Sequence, residues 1–559
     1  MEHAASHHAS KFTAKQKKMA LLIVAFAFVM DLLDSTIVNI AIPSIQTNLG
    51  ASYATIQWLV AGYSLTFALL LITGGRMGDV FGYKKIFLLG VSGFTVASLL
   101  TGIAPNPTFL VIARLLQGSM AALMVPQVMS LMQVMYKPEE RGSVMGMFGM
   151  LGGLAASLGP IIGGLLIKAN LFGWDWRPIF LINLPVGIFA FIAGSKYLPA
   201  GKSEHPLHID IKGTLLVVVA LSLLVFPLIE GRDLNWPVWS LILLAASIPA
   251  LAVFGWYERR KDMRDKSALI VPALFRIRTF ISGLGLNVIV ESVMIGYFLT
   301  FGLSLQIGLG YSPIKAALTG IATALGITIG FVGLGQKLIT KIGRYTIIVG
   351  AILFAAGLII TSALISHYTL GTHPWQLLPG LFLAGLGLSC VMVPMFSAAL
   401  QDVDSTHAGS ASGILNAVQQ VGGAIGIAII GVIFFGQLNH GSYQSFNQVS
   451  PQLRSQLTTL HVPANAQTYI LAQTRDCFHD RTTEKDANVV PQSCLQTQTD
   501  TPGHEDLVAN AVAHSSIEAN AINFANGFRA SVVYVVMLLI LVSGLSFTLP
   551  RKLRVVQEA

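Results

Sequence analysis

Long apolar stretches alternate with short polar stretches along most of the chain. Fourteen of them are about 20 residues long, the length that an α-helix needs to cross a bilayer. They are continuous, unlike the alternating segments of roughly ten residues that are typical of outer-membrane β-barrels. The pattern therefore predicts an all-α membrane protein with 14 transmembrane helices. These spans lie at roughly 20–43, 55–75, 86–104, 108–133, 143–168, 178–198, 211–230, 238–257, 280–306, 315–335, 346–366, 376–400, 409–435 and 528–549.

The positions of lysine and arginine indicate how the helices cross the membrane. With both termini in the cytoplasm, 25 of the 35 basic residues fall in cytoplasmic segments, 9 fall in outside segments and Arg114 lies within a span. This bias is typical of membrane proteins. An odd number of spans would move later basic loops outside, so we expect an even number. The first apolar run lacks a small-residue cleavage site, and we interpret it as a retained helix.

Composition narrows the class of protein further. Only 11% of the residues are charged and the mean hydropathy is +0.68, whereas soluble domains carry about 25% charged residues. This excludes a soluble enzyme, a disordered protein and a secreted disulfide scaffold. The net charge of +9 does not indicate a nucleic-acid partner, because the basic residues lie between apolar runs. The sequence contains no metal-ligand cluster, phosphate-binding loop or nucleophile motif, so we predict no enzyme, metal or cofactor.

Short similar segments recur at nearly constant separations. Met124-Val125-Pro126 resembles Met392-Val393-Pro394, 268 residues later, and Gly82 resembles Gly343, 261 residues later. A duplicated six-helix unit explains such a repeat, whereas spans 7 and 8 match neither copy. We therefore predict two six-helix bundles and an inserted two-helix hairpin, with boundaries at 1–200, 201–260 and 261–559.

One long polar segment interrupts the apolar pattern. Residues 436–527, outside the membrane between spans 13 and 14, are rich in Gln, Asn, Ser and Thr, and Leu507 to Phe524 suits an amphipathic helix. The segment contains Cys477 and Cys494 in an oxidising compartment. The sequence leaves open whether these cysteines form a disulfide, and it leaves open the role of the segment.

A glycine-rich loop, Gly75 to Lys85, joins spans 2 and 3 on the cytoplasmic side. Gly75 and Gly78 permit close approach of another backbone, and Gly82 permits a tight turn. Asp79 lies where a carboxylate can contact a neighbouring helix N-terminus or a basic side chain. Such a contact can hold one conformation and break in another. We predict a conformational latch; a basic turn with a structural aspartate is the alternative.

Charged side chains within the apolar runs are candidates for proton coupling. Arg114 in span 4 needs a polar partner or water, because a charge at mid-membrane costs about 2.5–3.5 kcal/mol. Asp31 and Asp34 lie one turn apart in span 1, and close carboxylates repel each other when both are ionised. Glu291 lies near the middle of span 9. The alternatives are a fixed ion pair for Arg114, a structural hydrogen-bond acceptor for Asp34 and a neutral, hydrogen-bonded acid for Glu291.

Span 5 is crowded with small residues, among them Gly153, Gly159, Gly163 and Gly164. Small residues four apart allow close helix contact. Pro160 removes a backbone donor and can bend the helix. The pattern predicts a moving interface, with static packing as the alternative.

The candidate substrate cavity combines the membrane-embedded acids with nearby polar and aromatic side chains. The faces of aromatic rings attract cations, although any single ring is more often part of an interfacial belt or of a lipid-facing core. The predicted lining is Asp31, Asp34, Trp58, Tyr63, Asn287, Glu291 and Phe298.

These motifs resemble those of the major facilitator superfamily, and more closely those of its 14-helix drug:proton antiporter branch (QacA/EmrB type). The glycine-rich loop is similar to the superfamily's cytoplasmic-loop motif, with Val80 where a basic residue is usual. Leu33 to Pro43 looks like the span 1 signature of the branch, and Trp176 to Pro185 looks like its span 6 signature. The resemblance covers nearly the whole chain except 436–527.

The resemblance also implies roles for residues in spans 4 and 5. Arg114, with Gln117 and Gly118, matches the motif whose arginine is linked to proton transfer in the family. Gly152 to Gly164 matches the antiporter motif of exporters, which symporters generally lack. The family resemblance therefore implies a rocker-switch exporter driven by proton entry.

We therefore predict a proton-coupled multidrug exporter of the bacterial inner membrane, moving cationic or lipophilic compounds out of the cytoplasm or the inner leaflet. Its partners would be the small-molecule substrate, protons and the lipid bilayer, with the proton gradient in place of a cofactor and with a monomer as the working expectation. Three alternatives stay open: an exporter of one endogenous metabolite or lipid, a proton-coupled uptake symporter, and a non-transporting membrane sensor.

Overall fold

The computed structural model describes residues 13–136, 138–201, 210–234, 236–265, 267–270, 272–403, 408–483, 490–495 and 505–552. Over these residues the regular secondary structure is helical, which confirms the predicted all-α class. Twelve of the described helices are long and apolar enough to cross a membrane. Two shorter apolar helices, Leu158–Ala169 and Pro313–Ile329, lie in the predicted spans 5 and 10.

We number the apolar helices in chain order. The first set of six is α1 (Ala14–Leu49), α2 (Tyr53–Phe81), α3 (Tyr83–Gly102), α4 (Pro107–Met135), α5 (Pro138–Ala169) and α6 (Pro178–Tyr197). The hairpin is α7 (Ile211–Asp233) and α8 (Val238–Asp265). The second set is α9 (Arg278–Leu303), α10 (Pro313–Ile329), α11 (Tyr345–Tyr368), α12 (Pro374–Leu400), α13 (Ala408–Thr459) and α14 (Glu505–Ser546). A π-helical turn, Gly330–Leu334, continues α10 into the short helix Gly335–Ile342.

Local sequence signals explain several helix ends. Thr13 caps α1 through its side chain and is part of a capping box with Gln16, which satisfies backbone donors that have no partner within the helix. Gly50 ends the same helix with φ at 65°, in the left-handed region that glycine adopts most readily. Asn106 caps α4, and Pro107 occupies its first position, where the missing N–H costs nothing.

The two sets of six helices pack in the same order. α1 contacts α4, α5 and α6, both α2 and α3 pack on α4, and α3 also packs on α6. In the second set α9 contacts α12, α13 and α14, both α10 and α11 pack on α12, and α11 also packs on α14. The boundaries at 1–200, 201–260 and 261–559 stay predictions, and residues 202–209, around the first of them, lie outside the described residues.

The loops after the second helix of each set also correspond. The Tyr83 N–H donates to the carbonyl of Gly201 at 2.8 Å, and the Arg344 N–H donates to the carbonyl of Arg551 at 3.3 Å. The glycines before them have positive φ, 102° at Gly82 and 57° at Gly343. In each set, the chain after the sixth helix therefore closes this loop. We call this side of the molecule the inner end, because it carries the loops predicted to be cytoplasmic.

The two sets contact each other through α2 with α13, α5 with α10 and α1 with α9. Near the opposite, outer end, the rings of Tyr53 and Phe435 lie 4.2 Å apart, and Gln57 donates to the carbonyl of Ile427 at 3.4 Å. Of the hairpin helices, α7 packs on both α2 and α13, and α8 packs on α7. The hairpin therefore covers the seam between α2 and α13.

Much of the predicted polar loop is helical. α13 continues to Thr459, past the predicted end of span 13 near 435, and α14 begins at Glu505. We call the described residues between 436 and 527 the cap; it also contains the helix Ala464–Thr483. The cap has its own hydrophobic core, built around Phe446, Leu453, Leu457, Ile470, Phe478 and Val508. Cys477 and Cys494 form a disulfide there, which settles the alternative left open by the sequence.

Candidate functional site

A buried charge cluster lies where α1 and α4 meet. Arg114 Nη1 donates to Asp34 Oδ2 at 2.5 Å and to Gln117 Oε1 at 2.8 Å, and Arg114 Nε donates to the carbonyl of Leu59 at 3.1 Å. The side chains of Arg114 and Asp34 are 1% and 0% exposed. A buried guanidinium is tolerated when it is paired and its donors are used. The predicted need of Arg114 for a polar partner is met by an acid on the first span.

The other oxygen of Asp34 is also fully used. Asp34 Oδ1 accepts hydrogen bonds from Gln117 Nε2 and from Asn183 Nδ2 of α6, each at 2.8 Å. Both amides also donate to Ser98 Oγ of α3, at 2.8 and 3.2 Å. Asn183 lies in the span 6 signature, but its role was not predicted from the sequence. No sequence pattern pointed to Ser98. Asp34 is therefore held by side chains from two other helices.

Asp31, one turn earlier on α1, has different surroundings. It is 4% exposed and accepts a hydrogen bond from the hydroxyl of Tyr63. The ring of Tyr63 lies 4.4 Å from the guanidinium carbon of Arg114, close enough for a cation–π interaction. Tyr63 thus connects the two aspartates, since its hydroxyl touches Asp31 and its ring touches the partner of Asp34.

Glu291 lies on the facing side of the molecule, within α9. It is 7% exposed, and Gln419 Nε2 of α13 donates to its Oε1 at 3.2 Å. Over the described part of the chain it has no ion-pair partner. Asn287, one turn earlier, donates to the carbonyl of Gly283 at 2.9 Å, and among the described residues its Oδ1 has no hydrogen-bond partner. The middle of α9 is therefore buried but sparsely bonded around Asn287 and Glu291.

The other two aromatic residues of the predicted cavity, Trp58 and Phe298, lie apart from this cluster. Trp58 Nε1 donates to Glu230 Oε1 of α7 at 2.8 Å, and the Trp58 ring lies 5.9 Å from that of Phe226 on the same helix. Trp58 therefore faces the hairpin. Phe298 is partly buried against the main hydrophobic core, 5.2 Å from the ring of Tyr297. The structure brings together Asp31, Asp34, Tyr63 and Arg114; a single cavity lined by all seven residues stays a prediction.

The glycines of span 5 lie at two helix contacts. Gly159 and Gly163 face α1, where an added Cβ would overlap Thr36 and Ile37 respectively. Gly164 faces α10 of the second set, and a Cβ there would lie 3.0 Å from Ile314 Cα. Pro160 lies inside α5 between these contacts. Gly153 is on the same helix, but its surroundings lie outside the described residues. The small residues thus allow α5 to pack closely against helices of both sets.

The predicted latch brings α2 against α4 at the inner end. A Cβ at Gly78 would overlap the Gln127 amide, and one at Gly75 would lie 3.6 Å from Pro126 Cβ. Asp79 Oδ1 accepts a hydrogen bond from the Tyr83 hydroxyl at 2.9 Å, across the turn at Gly82.

The segment predicted as a glycine-rich loop is helical in the structure except at Gly82, because α2 continues to Phe81 and α3 begins at Tyr83. A longer-range contact of this segment is made by Arg76, in the last turns of α2, whose role was not predicted from the sequence. Its guanidinium donates to the carbonyls of Ser267, at 2.6 Å, and Ala268. These two residues lie in the segment that joins the hairpin to the second set. The loop predicted as a latch is therefore fastened across the inner end by Arg76.

Sequence comparisons place these motifs among known proteins. A family model described as Major Facilitator Superfamily matches residues 24–427. A "probable actinorhodin transporter" of Streptomyces coelicolor is 38% identical over 535 residues, 96% of this chain and 92% of that protein. The "puromycin resistance protein pur8" of Streptomyces alboniger is 34% identical over 74% of this chain and 81% of its own length. The "tetracenomycin C resistance and export protein" of Streptomyces glaucescens is 36% identical over 74% and 75%.

Solved structures share the fold at low sequence identity. A bacterial homologue of the human lysosomal transporter Spinster, in an inward-facing and occupied conformation, matches with a TM-score of 0.56 and 14% identity over 96% of this chain and 97% of that chain. The xylose transporter XylE from E. coli matches with a TM-score of 0.50 and 13% identity over 74% and 92%. These likenesses concern the fold alone.

Proposed function

The chain belongs to the Major Facilitator Superfamily, and from this premise we propose that it is a proton-coupled exporter of cationic or lipophilic compounds. It is a multi-pass membrane transport protein and not an enzyme, as predicted, and this agrees with the expected bacterial inner membrane. Several relatives are named as antibiotic or multidrug resistance proteins and transporters, which identifies the drug-efflux branch. The proposal adds the proton as the driving ion and the substrate class.

The contrast between the buried acids carries the proposal. Asp34 is paired with Arg114 and bonded at both oxygens, so its charge is compensated. Among the described residues, the hydrogen-bond partner of Glu291 is the neutral amide of Gln419. An ionised carboxylate in such surroundings is costly. The cost falls when the group takes up either a proton or a cationic substrate.

This competition would couple the two fluxes. A substrate cation that approaches Asp31 or Glu291 from the inner side displaces the proton, and a proton from the outer side later displaces the substrate. Because each acid accommodates one or the other, the exchange links export to proton entry. Asp34 and Arg114 hold α1 against α4 throughout, and Tyr63 lets a change at Asp31 reach Arg114 through its ring.

The packing of α5 supports alternating access as the route. α5 contacts α1 of its own set and α10 of the other, with Gly163 and Gly164 at these contacts. Surfaces without side-chain knobs allow helices to rock while they stay in contact. The contact at Gly164 is therefore a natural pivot between the two sets.

A proteoliposome experiment tests the proposal. The purified protein is reconstituted, a pH gradient is imposed in either direction, and transport of tetraphenylphosphonium and puromycin is measured, with puromycin chosen from the name of one relative. We expect substrate to move against the proton flux and transport to stop when a protonophore is added. Movement of substrate with the protons would identify an uptake symporter instead. Transport at a rate that does not depend on the pH gradient would exclude proton coupling. If no compound were transported, the alternative of a non-transporting membrane sensor would be favoured.

A second candidate, an exporter of a single compound, is favoured by one observation. The relative that aligns with 96% of this chain is named for one compound, actinorhodin, whereas a relative named as a multidrug resistance protein aligns with 75%. A panel of actinorhodin, puromycin, tetracenomycin C and tetraphenylphosphonium distinguishes the two candidates. Transport of several of them supports a multidrug exporter, and transport of one alone supports a dedicated exporter.

A further inference from the structure

Two buried acids at the inner end of the hairpin have no role in the function proposed above. Asp210 directly precedes α7, and Glu258 lies in the second half of α8. Each is only 2% exposed. Carboxylates are rarely buried to this extent without a charged partner, so the arrangement calls for a physical explanation.

One oxygen of each acid is well bonded. Asp210 Oδ1 accepts from the Gly213 N–H and from the Tyr257 hydroxyl, each at 2.9 Å. Glu258 Oε2 accepts from the Ile270 N–H at 2.9 Å. These bonds fix the orientation of both carboxyl groups, and therefore they fix where the second oxygens point.

The second oxygens of both acids lie beside Gly213. Asp210 Oδ2 and Glu258 Oε1 are buried and have no hydrogen-bond partner over the described residues. A Cβ built on Gly213 would overlap both of them, so the two oxygens approach the same point beside that glycine. Two carboxylates in this position cannot both be ionised without strong repulsion. A single proton between them would satisfy both oxygens at once.

We propose that Asp210 and Glu258 share one proton and form a second proton-binding site, at the inner end of the hairpin. The proton bridges Asp210 Oδ2 and Glu258 Oε1, and on deprotonation it leaves to the cytoplasm. The pair then carries two negative charges, which repel each other. Among the described residues, Arg76 is a further charged group that acts on Glu258, and the Tyr257 hydroxyl donates to Asp210.

The site is connected to the predicted latch through the segment 267–270. Glu258 holds this segment by the N–H of Ile270, and Arg76 holds it by the carbonyls of Ser267 and Ala268. When the proton leaves, repulsion from Asp210 displaces the Glu258 carboxylate. An ionised carboxylate is in itself the stronger acceptor, so the bond to Ile270 weakens only through this displacement. Of these two contacts, the one made by Arg76 then remains to hold the segment. The protonated pair therefore fastens the inner end, and the deprotonated pair loosens it.

This inference rests on the proposed function only in its view of the proton as the coupling ion, and its test needs neither substrate nor gradient. Hydrogen–deuterium exchange of residues 267–270 is followed in the full chain in lipid nanodiscs between about pH 6 and about pH 8, corrected for the intrinsic pH dependence of exchange. In the unmodified protein we expect protection to fall by about tenfold or more as the pH rises, because like charges separate the pair.

Two substitutions and one control sharpen the test. Glu258→Gln and Asp210→Asn each keep a hydrogen bond between the pair without a titrating proton, so protection of 267–270 should no longer depend on pH. Asp262→Asn, one turn further along α8, should behave as the unmodified protein. The unmodified protein already provides a test without any variant. If the protection of residues 267–270 does not depend on pH there, the proposal of a shared proton is overturned. A pH dependence retained in Glu258→Gln would also overturn it. Failure of proton-driven transport would instead count against the proposed function alone.

Discussion

The first helix of each set carries a buried acid, and the hydrogen-bond partners of these acids differ between the two sets. Over the described part of the chain, Asp34 on α1 has an arginine and two amides as partners, whereas Glu291 on α9 has one amide. Burial is similar, with 1% and 7% exposure, so burial does not distinguish them. The number and charge of the partners decide whether a buried carboxylate is stabilised or left to exchange its proton.

Asp31 is the more natural counterpart of Glu291. The two are 260 residues apart, close to the 261 that separate Gly82 from Gly343, and each has one neutral hydrogen-bond donor among the contacts described above. In the proposed function, the first set therefore contains a fixed acid, Asp34, and an acid that exchanges its proton, Asp31, one turn apart. The first helix of the second set contains a single acid, Glu291, to which we assign the exchanging role.

The largest expected effect comes from removing the arginine of the fixed pair. Arg114→Ala leaves Asp34 buried and unpaired, which should lower the free energy of unfolding by about 3–5 kcal/mol. Thermal unfolding in detergent, together with the yield of folded protein from size exclusion, measures the loss. The control is Arg475→Ala in the cap, which breaks an ion pair that is 43% and 47% exposed and should cost about 0–1 kcal/mol. Equal losses in both variants would contradict the fixed-pair interpretation.

A smaller effect is expected from removing the amides beside the two acids. Gln117→Leu breaks bonds to Asp34, Arg114 and Ser98 and should cost about 1–3 kcal/mol, because it leaves buried groups unsatisfied. Gln419→Leu removes one bond of 3.2 Å to Glu291 and should cost about 0.5–1.5 kcal/mol. The same unfolding measurement compares them. If Gln419→Leu proved the more costly, the contrast between the two regions would be wrong.

The smallest effect on stability is expected at Glu291, the acid that we propose exchanges its proton. Glu291→Gln keeps a group of the same shape and should change the free energy of unfolding by less than about 1 kcal/mol, yet it should abolish most proton-driven transport because the side chain no longer titrates. Proteoliposome transport under a pH gradient measures this. Asp402→Asn is the control, since Asp402 is an exposed acid at the end of α12 that accepts from Thr279. Unchanged transport by Glu291→Gln would remove Glu291 from the coupling site.

Several features of the site could be predicted from the sequence, because they follow from the free-energy cost of placing a charged side chain in an apolar segment. A charge such as Arg114 in an apolar run requires a partner wherever the helix packs, and its partner is present. The choice between Asp31 and Asp34 could not be predicted, since both lie on one face of α1. Asn183 of α6 contributes to that choice, and its hydrogen bond to Asp34 joins residues 149 positions apart.

The hairpin and the cap also contain features that could not be predicted from the sequence. Trp58 was expected to line the cavity, and it bonds to Glu230 of the hairpin, because the packing of α7 on α2 decides what lies beside it. The predicted end of span 13 near 435 marks only where the apolar residues stop. The helix continues to Thr459, since an amphipathic helix that packs within the cap does not need to be apolar on every face.

Sequence alone determined the class of the protein, the order of its apolar helices and the residue types that had to find partners within the membrane. Each span must satisfy its own backbone hydrogen bonds and place its apolar surface against lipid or neighbouring helices, so hydropathy along the chain is enough to locate it. The tertiary structure alone decided which acid is paired with Arg114, which is left with a single amide, and that Asp210 faces Glu258. Those contacts join side chains from different helices, and their energies depend on distances that only the packed bundle sets.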